Sequence, residues 1–205
     1  PPWVYEGPIA VTTDAQSPFK NAHPLGRVGA SVSGATNGYR IAQALHPARN
    51  RSRGGRLHVN LDFRVGTNDP ATRGRHRFWL GTFSAAPAVE VLLGQDVLTL
   101  RTGNGVETLH PLHPGRWQNL QLELDLDAGT VAGRVGAPGN VVALPARPLA
   151  VSWPGNLEVV ALDSAGSAGV PLPPVMVDNL AVQEAPLSPV STTAAVPALA
   201  GGVPD

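Results

Sequence analysis

The sequence predicts an all-β protein, a two-sheet antiparallel β-sandwich, and two segments carry most of this prediction. Residues 120–126 place leucine at every second position, with Gln121, Glu123 and Asp125 between the leucines. Residues 57–65 alternate in the same way, with apolar side chains at the odd numbers. A period of two is typical of a strand with one buried and one polar face. The 23 glycines and 21 prolines among 205 residues also favour short strands and turns over long helices.

Residues 115–135 predict a β-hairpin. The four leucines of its first strand should lie in the core, and the acidic residues between them should be exposed. Residues 127–130 have the composition of a turn, in which Gly129 is free to take a positive φ, and the chain then returns as a second strand. Trp117 opens the first strand with a large apolar side chain, so we expect it in the core.

Shorter apolar runs predict the remaining strands. Gly7 and Pro8 interrupt the first of them, which suits the edge of a sheet. Residues 39–45 fit either a strand or a helical turn, residues 49–56 predict a basic loop, and residues 137–154 a proline-rich connection. The further predicted strands cover residues 4–12, 26–33, 77–83, 89–93, 97–101, 106–110, 157–163 and 175–183.

Composition excludes several classes of function. The formal net charge is zero, so neither nucleic acid nor an anionic membrane is indicated as a partner. The absence of cysteine excludes disulfides and thiolate metal sites. No apolar run approaches the roughly 18 residues of a membrane-spanning helix. The chain opens with Pro1 instead of methionine. We therefore expect that a signal peptide has been removed or that the numbering starts inside a longer chain.

The chain divides into a sandwich over residues 1–184 and an Ala/Pro-rich tail over residues 185–205. The tail carries one charged side chain, Asp205, and too little apolar area to fold alone. Its apolar residues are spaced irregularly, which favours an extended strand of chain. We expect it to contact another chain more than the sandwich itself.

Two motifs carry a family resemblance: G-x-W-x-x-L-x-L-x-L-D-x-x-x-G-T over residues 115–130, and Asp178-Asn179-Leu180 in the last predicted strand. They resemble the concanavalin A-like jelly roll, and in particular LamG-like and laminarinase-like lectin domains of secreted bacterial proteins. The resemblance implies a jelly-roll β-sandwich with extended termini, a surface that often binds glycans, and in some members a structural Ca²⁺. It also implies an extracellular, periplasmic or cell-envelope location. A calcium ion that ties the first strand to the last would use Glu6 and Asp178.

Catalysis has one candidate, the acidic stripe Glu123, Asp125 and Asp127, whose side chains share one strand face. Glycosidases place two carboxylates about 5 Å apart on either side of the scissile bond. The E-x-D-x-x-E motif of glycosidases that share the resembled fold is missing, so a solvated acidic face is favoured and we expect no enzyme. His110 and His113 lie three residues apart in a proline-containing turn, which favours a surface turn over a zinc site.

The expected ligand surface combines an aromatic ring with planar polar groups, because stacking and bidentate arginine contacts hold sugars. The candidates are Trp79, Trp153, His58, Asp62, Arg75 and Arg77. The sequence thus favours a non-catalytic lectin-like carbohydrate-binding module of an exported bacterial protein, with glycan as its partner. The alternative is a structural subunit whose tail clasps another protein subunit. A glycoside hydrolase or lyase with an unfamiliar motif is third.

Overall fold

The computed structural model describes residues 4–12, 17–20, 29–32, 38–66, 71–102, 105–165 and 170–190. These ranges form a β-sandwich of two seven-stranded antiparallel sheets. The described strands are β1 (Val4–Glu6), β2 (Ile9–Thr12), β3 (Gly29–Val32), β4 (Arg40–Asn50), β5 (Arg56–Val65), β6 (His76–Gly81), β7 (Val89–Leu93), β8 (Val97–Thr102), β9 (Gly105–Pro111), β10 (Gln118–Asp125), β11 (Thr130–Ala137), β12 (Asn140–Pro148), β13 (Asn156–Asp163) and β14 (Val175–Gln183).

Sheet 1 has the strand order β1-β4-β13-β6-β7-β8-β9, and sheet 2 the order β12-β11-β10-β5-β14-β3-β2. The chain changes sheets at Gly7 and Pro8, so β1 lies at an edge of sheet 1 and β2 at an edge of sheet 2. This confirms the edge position predicted for the interrupted first strand. Within each sheet, a strand from late in the chain joins the N-terminal strands to the others. In sheet 1, β13 lies between β4 and β6, and in sheet 2, β14 lies between β5 and β3.

The core lies between the two sheets, as the alternation predicts. Leu120, Leu122, Leu124 and Leu126 are at most 2% exposed, and the apolar residues of β5 lie beside them. Sheet 1 contributes Phe78, Leu80 and Val91 among others. The predicted hairpin is β10 and β11, with Asp125 opposite Thr130 and Gly129 at φ +67° in the turn.

Four local predictions need correction or completion. Trp117 is only half-buried, and the Arg64 guanidinium lies 5.5 Å from its ring centroid. The proline-rich connection contains strand β12, whose prolines are tolerated because β12 is an edge strand. Of residues 39–45, all but Tyr39 belong to strand β4, so this stretch is a strand and not a helical turn. The basic loop contains a 3₁₀ turn, Arg51–Arg53, whose first turn is capped by the Asn50 side chain.

No helix in the described part of the chain is long and apolar enough to cross a membrane. Of the tail, residues 185–190 are described and have no regular secondary structure, while residues 191–205 lie outside the described ranges.

Candidate functional site

The outer face of sheet 2 carries rows of polar side chains that run across neighbouring strands. The register of β5 and β10 places His58 opposite Glu123, Asn60 opposite Gln121, and Asp62 opposite Asn119. On the far side of β10, Arg134 of β11 lies opposite Gln121. We call this set the polar face; its members are His58, Asn60, Asp62, Asn119, Gln121, Glu123 and Arg134.

The centre of the polar face is buried, although the sequence predicts a wet surface there. Asp62 is 0% exposed and accepts hydrogen bonds from Nδ2 of Asn119 at 2.6 Å and Nδ2 of Asn179 at 2.7 Å. Burial raises the pKa of the Asp62 carboxyl, and the hydrogen bonds from Asn179 and Asn119 act in the opposite direction. His58 is also buried, at 8% exposed. The placement of His58 and Asp62 on the outer face is right, and their exposure is wrong.

Two segments from distant parts of the sequence cover this face. At one side the main-chain N–H of Ser17 donates to Oδ2 of Asp178, which lies opposite Asp62 on β14. At the other side, residues 186–188 of the tail lie against β10 and β11. The alternation of a single strand cannot reveal such covering segments, because they join the face only in the folded chain.

Between His58 and the tail the polar face opens into a groove of about 280 Å³. Within it, Nδ1 of His58 lies 3.9 Å from Oε2 of Glu123, and the other Glu123 oxygen lies 3.1 Å from Nη1 of Arg56. No phenylalanine, tyrosine or tryptophan is among the lining residues, which are His58, Gln121, Leu122, Glu123, Ala132, Gly133, Arg134, Pro186 and Leu187.

Gln121 and Arg134 supply the hydrogen-bond donors of the groove. Nε of Arg134 donates to Oε1 of Gln121, and Nε2 of Gln121 donates to Oδ1 of Asn60 at 3.1 Å, so each side chain fixes the next. Gly133 allows this close approach of β11, because a Cβ there would lie 2.2 Å from the Gln121 carbonyl oxygen. Gln121 and Arg134 were not among the ligand residues predicted from the sequence. The signal was available, since both occupy outward positions of the predicted hairpin.

The outward Nη2 of Arg134 and Nε2 of Gln121 already hold oxygen acceptors. Nη2 of Arg134 donates to the main-chain oxygen of Leu187 at 3.0 Å. Nε2 of Gln121 donates to the main-chain oxygen of Ser188 at 2.7 Å. The sequence predicts that the tail contacts another chain more than the sandwich. For residues 185–190, the sandwich itself provides hydrogen-bond donors, because Gln121 and Arg134 face outward at this point.

The carboxylates of the acidic stripe have structural partners. Asp125 accepts from the main-chain N–H of Ala128 at 2.8 Å and from Nε of Arg56 at 3.2 Å. The Ala128 hydrogen bond, aided by the charge of Arg56, lowers the pKa of the Asp125 carboxyl. Asp127 accepts from the main-chain N–H of Gly55 at 3.0 Å. Asp125 and Asp127 thus hold the turn between β10 and β11 against the loop before β5.

Trp79 and Arg77 lie on the other side of the molecule, on the outer face of sheet 1. Trp79 is 4% exposed and its Nε1 donates to Oδ2 of Asp163 at 2.9 Å. Arg77 binds the same carboxylate through two nitrogens and also lies 3.6 Å from Glu90. Burial is the largest single cause and lowers the pKa of the Arg77 guanidinium. The hydrogen bonds and charges of Asp163 and Glu90 together outweigh it, so the net direction of the pKa is upward.

The remaining predicted ligand residues lie elsewhere, so the six do not form one patch. Arg75 precedes β6 and lines a separate depression with Arg73, Gln95 and Asp96. Trp153 is 7% exposed, belongs to the core cluster, and donates from Nε1 to the main-chain oxygen of Asn156. Neither tryptophan offers the exposed ring that the sequence-based prediction requires.

The structure does not bring Glu6 and Asp178 together as calcium ligands. Glu6 lies on β1 of sheet 1, and its carboxylate is 3.4 Å from Nη1 of Arg40. Asp178 lies in sheet 2 and accepts from the main-chain N–H groups of Ser17 and Asn179. No group of three or more His, Asp or Glu residues in the described ranges could hold a metal ion. These two residues, with these partners, do not fit a Ca²⁺ site.

His110 and His113 also stay without a third ligand among the described residues. His110 is 5% exposed, and burial, with the charge of His113 as a smaller cause, lowers the pKa of its imidazole. His113 is exposed. The pair is a strand end and the turn that follows it, as the sequence favours.

No family model matches the chain, and no curated protein matches it. Solved structures do. A sialidase superposes with a TM-score of 0.57 at 10% identity over 86% of this chain, which spans only 17% of the sialidase. A seed lectin from Lotus tetragonolobus gives a TM-score of 0.55 at 9% identity, covering 91% of this chain and 94% of the lectin. The catalytic domain of a GH131 β-glucanase from Podospora anserina gives 0.52 at 15% identity, covering 88% and 80%.

The chain has the concanavalin A-like jelly-roll fold. This fold is shared by lectins and by enzymes that act on glycans, so the likeness supports the resemblance stated from the sequence without separating binding from catalysis.

Proposed function

We propose that the chain is a non-catalytic carbohydrate-binding module and that its glycan site is the groove on the outer face of sheet 2. The observation that carries this proposal is the pair of donors, Arg134 and Gln121, that hold two oxygen acceptors in the groove. Export from the cell remains part of the proposal and rests on the resemblance to lectin domains of secreted proteins.

The groove has both kinds of hydrogen-bonding group that a sugar needs. A sugar hydroxyl both donates and accepts, so a binding site must offer donors and acceptors within reach of neighbouring hydroxyls. Arg134 and Gln121 are the donors, and the Glu123 carboxylate beside His58 is an acceptor. Because no phenylalanine, tyrosine or tryptophan is among the lining residues, we expect recognition mainly through hydrogen bonds and not through stacking.

A binding role is favoured over a catalytic one by the state of the acidic stripe. A general acid in a glycosidase needs a raised pKa. The pKa of Asp125 is lowered instead, and its carboxylate is held by Ala128 and Arg56. Asp125 is therefore not suited to act as the general acid beside Glu123, and a glycosidase needs such a pair of acid and nucleophile.

The test is titration calorimetry of the intact protein with two defined probes, laminarihexaose as a β-glucan and 3′-sialyllactose as an acidic glycan. Arg134→Ala should weaken binding of whichever probe binds by roughly ten- to a hundredfold, the value of one or two hydrogen bonds to a charged group. Arg101→Ala, on the outer face of sheet 1, is the matched control and should leave binding unchanged. Binding that survives Arg134→Ala would exclude the groove, and cleavage of either probe would exclude a purely binding role.

A second candidate, a structural subunit, is favoured by one surface on sheet 1. Phe83 is 61% exposed and lies edge-on to Trp79 with ring centroids 5.7 Å apart, while Arg40 lies 5.1 Å from the Phe83 ring. Val4, 50% exposed, is on the same face. An exposed ring beside apolar side chains suits a protein partner. If neither sugar binds the intact chain or the Pro186→Gly, Leu187→Gly double variant, this candidate replaces the first.

A further inference from the structure

The tail segment in the groove is held through its main chain. The carbonyls of the consecutive residues Leu187 and Ser188 accept from Arg134 and Gln121. Leu187 is the half-buried side chain of this stretch, while Pro186 and Ser188 are exposed. These contacts use the same two donors that a sugar in the groove would use.

The base of the segment is fastened to the sandwich. Glu184 pairs with Arg49 of β4 across the end of the two sheets. Nε2 of Gln183 donates to the main-chain oxygen of Ala185 at 2.8 Å, which shapes the turn away from β14. The contacts of residues 183–185 therefore position residues 186–188 at the groove. Two hydrogen bonds and one half-buried side chain hold residues 186–188 there.

We propose that residues 185–190 form an intramolecular strap that competes with glycan for the groove. The identity of the competitor rests on the proposed function. Arg134 and Gln121 cannot donate the same hydrogens to the strap and to a sugar, so the two occupants exclude each other. The apparent affinity for glycan is then the intrinsic affinity reduced by the fraction of molecules whose strap is released.

The absence of cysteine from the chain allows a direct test of the strap. In the intact protein, Leu187→Cys provides a single thiol at the groove contacts, and Ala185→Cys provides a matched exposed thiol two residues earlier. We expect iodoacetamide to alkylate the thiol at position 187 at least about fivefold more slowly than the thiol at position 185. Arg134→Ala should remove this difference. Equal rates with Arg134 present would show that the strap is not docked and would overturn the proposal.

A second thiol, placed outside the strap, reports on docking without altering the strap itself. Ala132→Cys places the thiol in the groove wall, where the docked strap should protect it. Pro186→Gly with Leu187→Gly should release this protection, while Val151→Ala, at a position 87% exposed on a remote turn, should not. A thiol at position 132 that reacts at the same rate with either strap sequence would also overturn docking.

Competition is tested with the same two sugars. Saturating laminarihexaose or 3′-sialyllactose should raise the alkylation rate of the thiol at position 187 toward that of the thiol at position 185. The double glycine variant should bind the sugar several-fold more tightly than the unaltered chain. Sugar binding that leaves the alkylation rate at position 187 unchanged overturns the strap proposal alone. Failure of both sugars to bind either the intact chain or the double glycine variant overturns the proposed function, and with it the competition.

Discussion

Lowering the pH should destabilise the fold, and the buried His76 should account for a measurable part of the loss. His76 is 0% exposed; Nδ1 of its ring lies 2.6 Å from the Tyr39 hydroxyl and Nε2 lies 2.8 Å from the Pro173 carbonyl oxygen. A carbonyl only accepts, so Nε2 carries the proton and Nδ1 accepts from Tyr39. Both nitrogens of the neutral ring are thereby satisfied, and a second proton on Nδ1 would displace the Tyr39 hydrogen bond.

The size of the effect follows from the shift in pKa. Burial lowers the pKa of His76 from 6.5 to about 4. Well above pH 6.5 the ring is neutral in both the folded and the unfolded chain and contributes no pH dependence. Below that pH the unfolded chain binds a proton that the folded chain does not, so the free energy of unfolding decreases as the pH falls. A shift of this size corresponds to about 3 kcal/mol lost by pH 4.

Urea unfolding followed by tryptophan fluorescence between pH 7.5 and 4 measures this loss. His76→Gln keeps a donor for Pro173 without the titration, so its stability should fall less with pH than that of the unaltered protein. The difference between the two curves isolates His76 from the other titrating groups, including Asp62. His113→Gln, at an exposed position, is the control and should retain the full loss. If His76→Gln does not fold, Tyr39→Phe can replace it in the test. Tyr39→Phe should lower the free energy of unfolding by about 1–3 kcal/mol at pH 7.5, and its stability should still decrease at low pH because His76 is retained. Parallel curves for His76→Gln and the unaltered chain would refute the assignment.

Two further outcomes are expected. Leu124→Ala removes a fully buried side chain between the sheets and should lower the free energy of unfolding by about 2–5 kcal/mol in the same urea assay. Val151→Ala, at an exposed position, should leave the free energy of unfolding nearly unchanged, and equal effects of the two variants would contradict the placement of the core. Because Glu6 and Asp178 have other partners, addition of millimolar CaCl₂ or of EDTA should leave the thermal midpoint unchanged, and a rise with calcium that Asp178→Asn abolishes would restore the calcium site.

The strands were predictable from the sequence where one face is buried and the other is not. Val89–Leu93 and Val175–Gln183 have the predicted bounds, and the leucines of β10 face the core as their spacing requires. β12 escaped prediction because only Leu144 of its side chains is buried and prolines at 145 and 148 resemble a loop. An edge strand needs neither alternation nor every N–H, so its sequence carries little signal.

The site was harder to predict because it depends on contacts between remote segments. His58 and Asp62 were placed on the right face, but the segments that lie against this face, at Ser17 and at residues 186–188, are far from them in sequence. Trp79 was chosen as a ligand ring because tryptophans are scarce in the chain. In the fold it packs on sheet 1 against Ala42, Val159 and Ala161. A pattern within one strand fixes which way a side chain points and does not show what lies above it.

The position of β13 and β14 bears on how this protein is made. The N-terminal strands β1 and β4 join the rest of sheet 1 through β13, and β2 and β3 join the rest of sheet 2 through β14. During synthesis the facing edges of β4 and β6, and of β3 and β5, stay unpaired until Asn156–Gln183 has left the ribosome. Such late, long-range pairing is slow and leaves edges open to association with other chains. Nascent chains that stop before β13 should therefore depend on chaperones, and the two sheets should close together only when β13 and β14 are inserted.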